Sequence, residues 1–245
     1  MNTFFIILAA GESKRFKSKI PKLFQVYRGK PVILHSIDKA KNYKKFDKIV
    51  LVINKKHNKF IKRLNIKNVK IVFGGKTRAE SAFNALKKIK NYNIKKVMIH
   101  DAARPNFSLK LLDKLIKEIR FNDCVIPAIQ STDTVKEKSF NSLKNLKREN
   151  IYLTQTPQAF DFKKLYSLQD DKGLEITDDA NLFVKAKKNV KIIKGEIGNN
   201  KITISSDINY KGNINYGLGF DVHRLVPKKK LYIGGIKIPS SIGTL

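Results

Sequence analysis

The chain has 245 residues, 42% of them hydrophobic, enough for one large α/β domain, or a domain and part of a second, around a full core. Its 51 Lys and Arg against 20 Asp and Glu give a formal net charge of +31. The cations are mostly Lys spread along the whole chain, not an Arg-rich cluster, so they speak for anionic small substrates and against a nucleic-acid-binding protein. The lone cysteine, Cys124, rules out a disulfide framework or a paired-thiol metal site within the chain. The opening apolar stretch is too short for a signal peptide or membrane span and no basic segment precedes it; the expected location is cytoplasmic, with no membrane partner.

Phe4–Leu8 is a short apolar run of the kind buried on both faces of a parallel sheet. Ala9, Ala10 and Gly11 end it with residues small enough for close ligand approach, and Lys14, Arg15, Lys17, Lys19 and Lys22 follow, with Pro21 fixing the chain before Lys22. Ile33, Leu34, Ile37 and Ala40 place a helix over Pro31–Tyr43. Ile49–Ile53 and Val69–Phe73 are buried strands, the latter ending at Gly74-Gly75. Ala79, Ala82, Phe83, Leu86 and Ile89 mark a helix. Val97–Ile99 is a strand that runs into His100-Asp101-Ala102-Ala103-Arg104-Pro105. A helix over Leu109–Ile119 and a strand over Cys124–Ala128 continue the alternation.

From Gln130 to Gln158 the chain turns polar and turn-rich, with pieces such as Ile151–Thr154 that suggest a hairpin arm outside the sheet. Thr177-Asp178-Asp179 reads as a helix start with Thr177 as N-cap. Val190–Ile193 and Lys201–Ile204 close the pattern. The expected fold is α/β, a Rossmann-like, mostly parallel sheet with helices on both faces and a protruding β-arm at about 130–158. Three strand ends then bring Arg15 and Lys22, Gly74-Gly75 with Arg78 and Ser81, and Asp101 with Arg104 to the carboxyl edge, where such sheets bind ligands. An acid among cations suits a nucleoside triphosphate, the acid holding Mg²⁺ and the cations neutralising phosphate. No Walker sequence is present.

Leu8-Ala9-Ala10-Gly11 with Arg15, Pro21-Lys22, Gly74-Gly75 with Arg78 and Ser81, the HDAARP stretch, Asp133-Thr134, Thr156-Pro157-Gln158, Thr177-Asp178-Asp179 and Asn200-Lys201-Ile202-Thr203 together resemble the 2-C-methyl-D-erythritol 4-phosphate cytidylyltransferase family over nearly all of residues 1–210. The resemblance implies transfer of CMP from CTP, with Mg²⁺, to methylerythritol phosphate in the non-mevalonate route to isoprenoids. It implies that Arg15 and Lys22 stabilise charge at the α-phosphate, and that Ala10, Gly11, Gly75 and Ser81 lie at the cytosine. Asp101 would sit by the Mg²⁺-triphosphate, Arg104 by the sugar phosphate, and Thr134, Arg148 and Lys201 at methylerythritol phosphate. Thr134 and Arg148 lie on the arm that in the family crosses to a second subunit, implying a homodimer. One departure is Ser13, where the family has a second glycine; if that position needs a positive φ, Ser is strained there.

Residues 213–245 form a second segment. Asp221 and His223 alternate along an expected strand, as two ligands of one divalent metal could. GFDVHR with Ile233-Gly234-Gly235 and Ile238-Pro239 resembles the start of methylerythritol cyclodiphosphate synthase, a fragment of a second α/β domain in which the family's aspartate and histidine bind a metal such as Zn²⁺. Without the family's later histidine the site is expected to be incomplete and this chain to lack cyclase turnover. Another sugar-phosphate nucleotidyltransferase is the competing reading; the HDAARP stretch and the late Asn-Lys-Ile-Thr weigh against it.

Overall fold

The computed structural model describes residues 2–13, 16, 18–169, 178–208 and 222–245. The chain divides into two units, Met1–Asn209 and Tyr210–Leu245. In the first, the elements run β1 (Thr3–Ala9), β2 (Val26–Tyr27), β3 (Lys30–Pro31), α1 (Val32–Tyr43), β4 (Lys48–Ile53), α2 (Asn58–Arg63), β5 (Lys70–Phe73), α3 (Arg78–Ile89), β6 (Lys96–Asp101) and α4 (Leu109–Glu118). They continue as β7 (Cys124–Gln130), β8 (Val135–Lys138), β9 (Leu143–Leu146), β10 (Tyr152–Thr154), β11 (Gln158–Asp161), α5 (Phe162–Ser167), α6 (Ala180–Lys185) and β12 (Lys191–Lys194).

β1 lies inside the sheet, parallel to β4 on one side and β6 on the other. Its residues alternate between the two faces of the sheet: Phe5, Ile7 and Ala9 pack with α1 and α4 residues, and Phe4, Ile6 and Leu8 with α3, α5 and α6 residues. That explains an apolar run with no polar interruption. Burying each of the fully covered Phe5, Ile6 and Ile7 contributes about 1.5–3 kcal/mol. The helix starts are specified locally: Thr77 accepts the Glu80 N–H at 3.1 Å and Ser108 the Leu111 N–H at 3.1 Å.

The sheet is mostly parallel, with β5, β4, β1 and β6 in sequence, but two strands run against it. β11 inserts antiparallel between β6 and β7, and β10 pairs antiparallel with β7. Ile151–Thr154 is therefore not wholly outside the sheet; within the arm, the β8–β9 hairpin forms a separate ribbon. Between Thr154↔Ala128 and Ala159↔Val125 the register along β7 slips by two residues, so the chain bulges at 155–157 and re-aims Thr156.

Two expected elements differ. Lys201–Ile204 is not a strand: Ile202 N–H binds the Ala103 carbonyl at 2.8 Å, and a short 3-10 turn, Ser205–Asp207, follows. Its apolar alternation reflects the burial of Ile202, since Ile204 is exposed. The Thr177 N-cap lies outside the described residues; the capping bond seen at α6 comes from Asp178, whose Oδ1 accepts the Asn181 N–H at 3.0 Å.

The second unit, described from Val222, holds two antiparallel pairs: β13 (Leu225–Pro227) with β16 (Ile242–Thr244), and β14 (Leu231–Ile233) with β15 (Ile236–Ile238). Gly234 and Gly235, at φ 58° and 82°, make the β14–β15 turn, where two positive φ angles favour glycine. His223 precedes β13 and is not in a strand. Among the described residues no helix is long and apolar enough to cross a membrane.

Ser13 has φ 57°, the left-handed region anticipated for that position. Ser13→Gly is expected to raise stability by about 0.5–1 kcal/mol, read as a higher denaturant midpoint with an unchanged slope.

Candidate active site

The strand ends at the carboxyl edge surround a cleft of about 430 Å³. β1 contributes Ala10 and Gly11. β4 ends at Asn54, whose Nδ2 donates to the Ala10 carbonyl at 3.3 Å while its Oδ1 accepts the Lys56 N–H at 2.9 Å. β5 ends at Gly74, whose N–H binds the Ile53 carbonyl at 2.9 Å. A Cβ on Gly74 would lie 2.5 Å from the Ala10 Cβ and 2.6 Å from Ser81 Oγ, so only glycine lets these loops close on one another. Ser81 is buried; its Oγ accepts the Gly75 N–H at 3.1 Å and donates to the Thr77 carbonyl at 2.8 Å. Its hydroxyl thus shapes the loop that walls the cleft.

Charge converges on Asp101 at the end of β6. Arg78 Nε donates to Oδ1 at 3.1 Å and Lys201 Nζ to Oδ2 at 2.7 Å. Burial opposes ionisation of this carboxyl, yet the Arg78 guanidinium and the Lys201 ammonium outweigh it and hold Asp101 well below the usual carboxylate range. Arg78 reaches on to Asp179, donating from Nη1 to Oδ2 at 2.8 Å. Burial disfavours its charge, but the Asp179 and Asp101 carboxylates prevail and raise its pKa. Among the described residues its Nη2 has no hydrogen-bond partner. Lys22 also lines the cleft and donates to the Ile202 carbonyl at 2.8 Å.

Behind Asp101, His100 is fully buried. Burial, opposed only in part by the Asp101 charge, pushes its pKa down to about 3, so the ring is neutral at neutral pH. Arg104 donates to the Asn199 carbonyl at 2.8 Å and the Thr154 carbonyl at 3.2 Å.

Of the residues expected from sequence, Ala10, Gly11, Lys22, Gly75, Ser81, Asp101 and Lys201 line this one cleft. Arg104 does not line it; it braces the β10 end against Asn199. Thr134 is exposed beside the β8–β9 ribbon, and Arg148 donates to the Thr132 carbonyl at 3.3 Å and forms an ion pair with Glu149 at 3.6 Å; neither lines the cleft of its own chain. Arg15 and Asp221 lie outside the described residues, and His223 is exposed. Sequence reasoning missed Asn54, and it quoted Thr203 and Asp179 only within motifs, without placing Thr203 in the cleft or Asp179 on Arg78. Asp179 was visible as an acid ahead of a helix, but its pairing with a residue 101 positions away leaves no local signal.

A divalent cation carried by substrate phosphates needs only one or two protein carboxylates, its other positions going to phosphate oxygens and water. Asp101, a single ionised carboxylate between Arg78 and Lys201, fits that need. Among the described residues no group of three His, Cys, Asp or Glu could hold a metal alone.

A family model described as 2-C-methyl-D-erythritol 4-phosphate cytidylyltransferase matches residues 3–214. The chain is 70% identical over 245 residues to the bifunctional enzyme IspD/IspF of Pelagibacter ubique, covering all of this chain and 66% of that protein. It is 36% identical over 219 residues to the 2-C-methyl-D-erythritol 4-phosphate cytidylyltransferase of Fusobacterium nucleatum, covering 84% of this chain and 94% of the relative. Its fold is similar to that of the bifunctional IspDF of Campylobacter jejuni, with a TM-score of 0.75 and 31% identity over 100% of this chain and 65% of that one. The chain thus spans just under two thirds of the bifunctional relatives.

The buried His100 makes stability pH-dependent. The folded ring stays neutral down to about 3, whereas the unfolded chain takes up a proton near 6.5, so this contribution is complete above about 6.5 and is lost as pH falls toward about 3. Asp101, with its pKa depressed on folding, adds a loss of the same sign below the ordinary carboxylate range. Melting temperature is expected to fall steadily from pH 7 to pH 4; a flat profile over that range contradicts the assignment.

Proposed function

We propose a function from one premise: this chain belongs to the 2-C-methyl-D-erythritol 4-phosphate cytidylyltransferase family. It transfers CMP from CTP to 2-C-methyl-D-erythritol 4-phosphate. An oxygen of the substrate phosphate bonds to the α-phosphorus, the bond from α-phosphorus to the bridging β-oxygen breaks, and pyrophosphate leaves. The observation that carries this reading is the convergence of Lys22, Arg78 and Lys201 with Asp101 in one cleft. Phosphoryl-type transfer asks the protein for in-line positioning and charge stabilisation, and these are the groups that supply both.

Lys22 and Arg15 neutralise the charge that develops at the α-phosphate. Ala10, Gly11, Gly75 and Ser81 form the wall against which cytosine is read, the closeness of Gly74 to Ala10 keeping that wall thin. Asp101 would hold Mg²⁺ together with triphosphate oxygens, and the ion, when bound, supplies charge neutralisation of the leaving pyrophosphate. Lys201 and Arg104 position the second substrate. Thr134 and Arg148, which do not line the cleft of their own chain, act on methylerythritol phosphate in the cleft of a second subunit, reached through the arm of a homodimer. Both substrates are small, charged and water-soluble, and we place the enzyme in the cytoplasm. Residues 1–212 are read as the transferase domain and 213–245 as the start of a cyclodiphosphate synthase unit, with Asp221 and His223 as its first metal ligands; the bifunctional relatives support that division.

Pyrophosphate release from CTP is expected to require methylerythritol phosphate, and release with a different sugar phosphate instead would reassign the acceptor. Lys22→Ala should lower turnover by about 10²–10³ with an unchanged circular dichroism spectrum. A near-normal rate overturns its role.

A further inference from the structure

The transfer chemistry leaves His100 unused, yet it occupies a fully enclosed polar position. The ring is packed between Phe5 and Phe107, with centroids 5.7 Å and 4.4 Å away, and is fully buried. Each ring nitrogen meets a hydroxyl: Nδ1 lies 3.2 Å from Thr156 Oγ1 and Nε2 lies 3.2 Å from Ser36 Oγ. Thr156 Oγ1 in turn accepts the Asp101 backbone N–H at 3.0 Å.

That last bond exists because the sheet cannot supply it. On the side of β6 facing β11, pairing stops at Ile99↔Gln158, so the Asp101 N–H lies past the end of the ladder. A buried N–H must find another acceptor, and the bulge at 155–157 turns the Thr156 hydroxyl toward it. The hydroxyl is a rotor until its other partner is fixed. His100, itself fixed by Ser36 on α1, does this.

We propose that His100 is a positioning residue: together with Ser36 it locks the Thr156 hydroxyl onto the Asp101 amide, and so sets the direction in which the Asp101 carboxylate faces the cleft. The inference rests on the functional reading above for its consequence in turnover, but not for its structural content. Because displacing a catalytic group by a fraction of an ångström costs more rate than stability, loosening this chain at its far end, in α1, reaches the cleft through three hydrogen bonds.

Ser36 does not line the cleft, and Ser36→Ala suits a helix. His100→Phe keeps an aromatic ring among Phe5 and Phe107 but can bond neither hydroxyl. Each variant is to be compared with the unmodified chain by amide hydrogen exchange at Asp101, by turnover, and by the divalent-cation concentration that half-saturates turnover. We expect faster exchange at Asp101, turnover lower by about tenfold for Ser36→Ala and more for His100→Phe, and a several-fold rise in half-saturating cation. A merely structural role would reduce the folded fraction without moving the half-saturation point. Unchanged exchange and unchanged half-saturation in a folded variant overturn the proposal. If His100→Phe does not fold, Ser36→Ala decides by the same readouts. If the unmodified chain releases no pyrophosphate, the functional reading fails separately, and exchange at Asp101 alone decides this one.

Discussion

A carboxylate that is almost fully enclosed at the end of a strand needs counter-charge, and most of the cleft can be understood as the means of providing it to Asp101. Arg78 comes from the start of α3, Lys201 from the loop after β12, and Asp179 from the segment before α6. Each element is thereby drawn to the same strand end. An exposed ion pair would contribute little. Here Asp179 is buried and the Asp101 and Arg78 side chains are only 12% and 22% exposed, so losing one member leaves a charge without its counterpart. In the function proposed above, the cations that satisfy Asp101 are also the ones that meet the triphosphate.

The backbone makes this convergence possible. β1 delivers small residues at its end, Gly74 allows the β5 loop to lie against Ala10, and the β11 insertion stops short of Asp101. The bulge that follows from that interruption presents Thr156, and behind it His100 and Ser36 fill the space between β6 and α1 with a neutral polar chain. Lys22 is linked to the same assembly through the carbonyl of Ile202, the neighbour of Lys201. A single short segment after β12 therefore touches both the first-loop lysine and the Asp101 carboxylate.

Much of the fold was legible because it rests on local periodicity. Phe4–Leu8, Ile49–Ile53 and the apolar spacing over Arg78–Ile89 correspond to β1, β4 and α3 within a residue or so. The parts that were not legible depend on distant partners. α2 has six residues, Asn58–Arg63, mostly polar and without a periodic face. The antiparallel sense of β11 cannot be read from its composition, and Lys201–Ile204 has a strand-like pattern but finds no strand to pair with. Of the cleft residues, Lys22 and Asp101 were reached from the strand ends that meet at the carboxyl edge, and Lys201 through motif resemblance. That Arg78 would be shared between Asp101 and Asp179 was not reached either way, since nothing in the spacing of three such residues fixes a contact. Thr134 and Arg148 mark a different boundary: in the proposed dimer their role belongs to a second subunit, so one chain's geometry does not contain it.

The claim that the Asp101 charge cluster organises the cleft is tested most directly by the unfolding free energy of Asp101→Asn, measured by denaturant at neutral pH against the unmodified chain. Replacing the carboxylate by an isosteric amide leaves Lys201 and one arm of Arg78 without a counter-charge, and a loss of about 3 kcal/mol is predicted. A change under about 0.5 kcal/mol, of the size seen at ordinary surface sites, would contradict it.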